Sequence, residues 1–222
     1  MKRNQFLIAI FMLVATFTSV ALFSSCSESK GDEVDEYADW QKKNDTYFNK
    51  VYTEAEQAIK SGKKDWKILT AWSINEASAQ TTDHIVVKVL QEGTGSGCPI
   101  FTDNAYVHYI GHLIPSVSYP KGYLFDKSTQ TEELSLASDK PSLLALNGLV
   151  DGFSTALQYM HIGDYWRVYV PYQLGYKGVA KTGIPAYSTL IFDIYLCQYF
   201  RDDDYVITVS YTHLTLPTIC SV

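Results

Sequence analysis

The sequence predicts an α+β domain, and three consecutive stretches carry the prediction: a short amphipathic helix, an alternating segment after it, and a second alternating segment beyond a glycine-rich loop. In the first, Phe153, Ala156, Leu157 and Met160 recur at i, i+3, i+4 and i+7, the spacing of a one-faced helix, with Gly163 as its expected stop. From Trp166 the period becomes two. Trp166, Val168 and Val170 fall on one face and Arg167 and Tyr169 on the other, as in a half-buried antiparallel strand ended by Pro171. A loop holding Gly175, Gly178 and Gly183 carries Tyr176 and Ile184-Pro185, after which Leu190, Phe192, Ile194 and Leu196 resume the alternation.

A chain of 222 residues with 46% hydrophobic and 14% aromatic content has room for one packed domain plus extensions. The formal charge of -6 becomes -8 if a leader containing Lys2 and Arg3 is removed, which argues against a nucleic-acid partner.

That leader occupies residues 1–25. Lys2 and Arg3 precede an uncharged run from Phe6 to Phe23, and Ser24, Ser25 and Cys26 follow. The end resembles the lipobox of bacterial lipoproteins, in which the cysteine is lipidated and becomes the first residue, although Phe23 stands where leucine is usual. The alternative is an uncleaved membrane anchor. Either places the rest of the chain outside the cytoplasm, attached to a membrane of the bacterial cell envelope. Residues 26–36 are polar and acidic and read as a solvated tether.

Residues 37–82 form an N-terminal extension. Tyr37, Trp40, Tyr47, Phe48, Val51, Ala55, Ala58 and Ile59 share one helical stripe that stops at Gly62. The stripe must be covered, either by the chain's own domain or by a homodimer contact through residues 37–60. Trp66 to Trp72 reads as a strand and Asn75 to Thr82 as a polar loop. The main domain spans residues 83–200 and opens on a strand in which Ile85, Val87 and Val89 alternate with Val86, Lys88 and Leu90. The Gly93, Gly95 and Gly97 stretch reads as a turn, because no Lys-Ser/Thr and no helix follow it as a phosphate loop requires. His108 and His112 sit on the next strand, Ala105 to Leu113, at a separation of ~13 Å, so they share no metal and read as surface residues.

Six blocks in this region resemble, in order and spacing, the FKBP-type peptidyl-prolyl cis-trans isomerases. They are Val107-His108-Tyr109-Ile110-Gly111-His112-Leu113, Phe125-Asp126-Lys127-Ser128, Leu149-Val150-Asp151-Gly152-Phe153, Ala156-Leu157-Gln158-Tyr159-Met160, Pro171-Tyr172-Gln173-Leu174-Gly175-Tyr176, and the run from Ile184 to Asp193. The resemblance implies a twisted antiparallel sheet wrapped around the short helix. It also implies a substrate-proline pocket with Tyr109, Phe125, Asp126, Tyr176 and Phe192 as catalytic residues and Val150, Phe153 and Ile184 as substrate contacts. Phe153 replaces the family's usual tryptophan at the pocket floor, a difference that bears on efficiency rather than fold. Lys177 stands where glycine is usual, and the 114–123 connection is longer than in minimal members.

The implied chemistry is rotation about an X-Pro amide of exported polypeptides. An apolar box would strip water from the carbonyl and fit the twisted amide, with no cofactor and no metal. The alternative is a chaperone module that grips proline-containing segments with little turnover. Asp202-Asp203-Asp204 reads as the solvated end of the domain, within residues 201–207. Residues 208–222 are set aside as a non-native tail, since Val209 to Leu214 resembles a translated sequencing-library adaptor. Cys98 and Cys197 remain as either a disulfide or two buried thiols.

Overall fold

A computed structural model describes residues 35–201 apart from 132, 133, 135, 137 and 138. The leader, Cys26, most of the tether and everything after Arg201 lie outside the described residues. The elements in order are α1 (Trp40–Lys60), β1 (Trp66–Thr70), β2 (His84–Gln91), β3 (Asn104–His112), β4 (Leu124–Lys127), β5 (Ser142–Ala145), α2 (Asp151–Tyr159), β6 (Tyr165–Val170) and β7 (Leu190–Phe200). The strands form one antiparallel sheet in the order β1-β2-β6-β7-β3-β4, with β5 also paired to β3.

The sheet turns one face toward α2 and the other toward α1. On the α2 face, Val87, Val168, Phe192 and Gly111 are register partners across β2, β6, β7 and β3, and Val89, Trp166, Ile194 and Tyr109 form the adjoining row. The alternation read from β6 and from β7 therefore places Trp166, Val168, Phe192 and Ile194 where it predicts. The short helix is enclosed rather than one-faced, because Ser154 and Thr155 are buried along with Phe153, Ala156 and Leu157. Its far side is covered by the segment after β1, where Trp72 N donates to Thr155 Oγ1 at 3.2 Å and Ser73 Oγ to Asp151 Oδ2 at 3.4 Å. Gly152 permits close approach to the sheet: a Cβ there would stand 2.4 Å from Val170 Cγ1. The helix ends at Tyr159, before Gly163, because Met160 already takes an extended conformation.

Gly163 serves a different contact. It adopts φ +93° and lies against Gly93, where an added Cβ would come within 2.4 Å of Ile162 O. The buried Asp164 ties the two segments by accepting from Gly93 N and His161 N, each at 2.7 Å. The glycine-rich stretch after β2 is thus a place where two backbones touch.

Helix α1 buries Trp40, Asn44, Phe48, Val51, Ala55 and Ala58, so the chain's own domain covers the middle of the stripe, while Tyr37, before the helix, and Ile59, at its end, are exposed. Phe48, Val51 and Ala55 pack on Val86, with Trp66, Ile68 and Tyr169 at the edges. This second cover explains why Ile85, Val86 and Val87 are all buried although they alternate across the strand. β1 pairs with β2 along its whole length, from Trp66–Lys88 to Thr70–His84, which makes the extension part of the sheet. The polar stretch after it contains two short 3-10 turns, Glu76–Ser78 and Thr81–Asp83.

Two readings need correction. His108 is not a surface residue: it is completely buried, and neither ring nitrogen has a hydrogen-bonding partner among the described residues. Burial pushes its pKa down, against the charge of the buried Asp139, so the imidazole is neutral at neutral pH. Cys98 is a free, half-buried thiol and Cys197 is not free, so neither a Cys98–Cys197 bridge nor a pair of buried thiols describes them.

Candidate active site

The β3–β4 pairing supplies the first pair of site residues. Register partners run Ile110–Lys127, Gly111–Asp126 and then His112–Leu124, leaving Phe125 as the extra residue of a bulge. An unbroken strand would send Phe125 and Asp126 to opposite faces. The bulge lets both reach the α2 face, where Phe125 meets Phe192 and Asp126 meets Tyr109.

Four rings then close on one another edge to face. Phe192 lies 5.6 Å from Phe125 and 4.9 Å from Phe153, and Phe153 lies 5.8 Å from Tyr109, with interplanar angles of 79–89°. These are favourable quadrupole geometries, and each ring holds its neighbours upright. Gly111 makes room for them: a Cβ there would come within 2.6 Å of the Phe125 ring and 3.0 Å of Phe192. Phe153, buried at the first turn of α2, closes the bottom of the box. Val150, the residue capping that helix, and Ile184 belong to the same apolar cluster.

The polar groups lie at the mouth. Tyr109 Oη donates to Asp126 Oδ2 at 2.9 Å, and Asp126 Oδ1 accepts from Lys127 N at 2.8 Å, so the exposed carboxylate is oriented from both sides. Burial first, and then the hydrogen bond to Asp126, raise the Tyr109 pKa well above the usual phenol value. Burial and the Asp126 charge raise that of Tyr176 as well. Both phenols therefore stay protonated throughout the neutral range. Tyr109 is committed to Asp126, whereas the Tyr176 hydroxyl has no partner among the described residues and is free to donate. Lys177, beside it, takes φ +57°, the left-handed conformation in which glycine is unstrained, which accounts physically for the residue expected there.

The structure thus brings Tyr109, Phe125, Asp126, Phe153 and Phe192 into direct contact and sets Tyr176, Val150 and Ile184 around them. A sequence model of the FKBP-type peptidyl-prolyl cis-trans isomerase family matches residues 99–197, which hold every one of these positions. This segment is similar to an FKBP-type domain. Among similar proteins, the macrophage infectivity potentiator of Trypanosoma cruzi is 36% identical over 114 residues, covering 50% of this chain and 51% of its own length. The FKBP-type 22 kDa peptidyl-prolyl cis-trans isomerase of Escherichia coli is 32% identical over 124 residues, covering 55% and 53%. The chain spans about half the length of these relatives. A crystal structure of FkpA from Escherichia coli aligns with a TM-score of 0.46 at 23% identity, covering 72% of this chain and 63% of that one.

A contact that sequence reasoning missed holds the loop from Ile184 to Thr189. Trp40 Nε1 donates to Ser188 Oγ at 2.8 Å, and Ser188 Oγ donates to Pro185 O at 2.7 Å. Thr189 N donates to Asn44 Oδ1 at 2.7 Å, while Asn44 Nδ2 donates to Trp40 O at 2.8 Å. Helix α1 is therefore bonded to the loop that carries Ile184. The one signal for it in the sequence is a polar residue, Asn44, inside an otherwise apolar stripe.

Proposed function

We propose that this chain is a peptidyl-prolyl cis-trans isomerase acting on X-Pro bonds of exported polypeptides, by desolvation and by binding the twisted amide. The observation that carries the reading is the ring box itself, with Tyr109 and Asp126 hydrogen-bonded to each other beside it. Planar amide resonance puts negative charge on the carbonyl oxygen, and water stabilises that form. An aromatic box that excludes water favours the twisted, less polar state, for which the barrier in water is about 18–20 kcal/mol. Phe125, Phe153 and Phe192 form the walls and floor, with Val150 and Ile184 beside them. Asp126 positions Tyr109, and Tyr176 donates to a substrate carbonyl. No covalent bond is made, so the chain's own residues need only orient, enclose and dehydrate.

The purified chain should accelerate cis-to-trans relaxation of a short apolar-X-Pro peptide. Because both phenols remain protonated beyond their ordinary value near 10, the rate should be flat between about pH 6 and pH 8. A bell-shaped profile would indicate acid–base transfer and defeat the mechanism. Tyr176→Phe removes one hydrogen bond, about 0.5–1.5 kcal/mol, and should cost at most roughly tenfold in kcat/KM. Binding of proline peptides without acceleration would instead support the chaperone reading.

The same proposal places the protein outside the cytoplasm on a lipid anchor at Cys26. Support comes from the leader's basic, apolar and small-residue order, and from a relative at 33% identity bearing the name outer membrane protein MIP, from Legionella longbeachae. Labelled fatty acid should enter the wild type and not Cys26→Ser. Equal membrane partitioning of both, without label, would make Phe6–Phe23 an uncleaved anchor instead.

A further inference from the structure

The α1 face of the sheet carries a second cavity, which the ring box does not use. Across β6, β7 and β3, the partners Arg167, Asp193 and Ile110 form one row; Tyr169, Ile191 and His112 form the next, extended by Leu124 on β4. These two rows floor a groove of about 1260 Å³, walled by Tyr47 of α1, by Tyr165, and by the Pro115–Tyr123 connection. That volume exceeds the roughly 300–1000 Å³ of small-molecule sites and suits several residues of polypeptide.

The chemistry of the groove selects among occupants. Arg167 is bound bidentately by Asp193, at 2.7 Å for each contact, so the floor's strongest charges cancel. Burial raises the pKa of Tyr47 to about 12 and those of Tyr165 and Tyr169 above the usual value, leaving neutral phenols. Neutral ring faces carrying hydroxyl donors match an extended, uncharged peptide whose carbonyls need partners. Lys121 also lines the groove, at an exposed position of its wall, while the floor carries no uncompensated charge.

The groove and the ring box share a wall. Leu124 lines the groove, and the next residue, Phe125, touches Phe192 in the box. Tyr123 packs edge-on against Tyr119 at 5.1 Å on the groove side. Its ring also backs onto Gly183, where an added Cβ would lie 3.2 Å away, beside the pocket residue Ile184. Among the described residues β4 is the last strand on that path of the sheet, so no further described strand stands between the two faces at that edge. With ~3.3 Å per extended residue and ~10 Å of sheet thickness, three or four residues bridge box and groove.

We propose that the groove holds the flank of the same client polypeptide whose proline occupies the box: an extended, uncharged segment rich in apolar and aromatic residues, beginning three or four residues from that proline. The inference rests on the isomerase reading, and it makes the long Ile114–Tyr123 connection a device for holding clients.

The test compares three fluorescent peptides with one apolar-X-Pro core: a four-residue form, and two forms extended by eight uncharged residues, one on each side. The affinity ratio of extended to short peptide is measured by anisotropy within each protein, using the full chain. One extended form should bind wild type about tenfold tighter than the short form, and the ratio should fall to about one in Tyr119→Ala, whose ring stands at the solvent edge, 41% exposed. Pro120→Asp, at another exposed position of the wall, should lower the ratio as well. A wild-type ratio of one, or a tenfold ratio that survives both substitutions, overturns the proposal. A ratio of one together with self-association that Tyr119→Ala abolishes assigns the groove to a second copy and also overturns it. If the short peptide is not isomerised while the Tyr119-dependent gain persists, the isomerase reading fails and the groove stands. If the short peptide turns over with a ratio of one, the reverse holds.

Discussion

Alanine at Phe192 is expected to abolish most isomerase turnover and to destabilise the fold by about 3–5 kcal/mol, the usual range for truncating a buried phenylalanine. The ring is 5% exposed and touches two others, Phe125 and Phe153, edge to face. Gly111 stands opposite it on β3 without a side chain that could fill the space. The cavity would therefore stay open, and water entering it would stabilise the planar amide that catalysis must disfavour. The loss in kcat/KM should exceed the roughly tenfold ceiling set for Tyr176→Phe, since a wall is removed rather than one hydrogen bond. Phe192→Leu separates the two effects. It keeps most of the volume, so its denaturation midpoint should recover most of the loss, while its turnover should remain well below wild type because the edge-to-face contacts are gone. Wild-type turnover in Phe192→Leu, measured where its circular dichroism is native, would show that shape alone suffices and the aromatic walls are incidental.

The parts of this fold legible in the sequence are those in which one periodic face meets one cover. Trp166, Val168 and Val170, and then Phe192 and Ile194, alternate as read because a single helix covers that side. The α1 stripe was legible for the same reason, down to Trp40, Phe48, Val51, Ala55 and Ala58. Reading failed where the cover comes from far along the chain. His108 and Val86 lie on faces that alternation assigns to solvent, yet both are completely buried. The site shows the same division. Its residue types stood in six ordered blocks, but the arrangement that makes Phe125 and Asp126 neighbours on one side is a bulge, which alternation cannot reveal. Gly111 was visible as a motif letter and not as the space into which two rings fit.

Asn44 was invisible as a functional residue for a related reason, and its substitution gives the second large expected effect. It is completely buried, and its amide joins α1 to the loop after Ile184 by accepting from Thr189 N and donating to Trp40 O. Asn44→Ala leaves the buried Thr189 N–H without an acceptor, which costs about 1–3 kcal/mol before any cavity is counted. The denaturation midpoint should fall by a corresponding amount, whereas Lys42→Ala, on the exposed side of the same helix, should stay within about 0.5 kcal/mol of wild type. The functional consequence follows from the bonded sequence Asn44, Trp40, Ser188, Pro185, because Pro185 adjoins Ile184 at the box. With one tether cut, the loop must be ordered by the substrate, and the short proline peptide should bind several-fold more weakly with its turnover number little changed. Ser188→Ala, which removes the acceptor for Trp40 Nε1, should move affinity in the same direction. If Asn44→Ala loses stability yet keeps full peptide affinity, α1 is only a lid on the sheet; if it loses both, the N-terminal helix is part of the binding machinery that it covers.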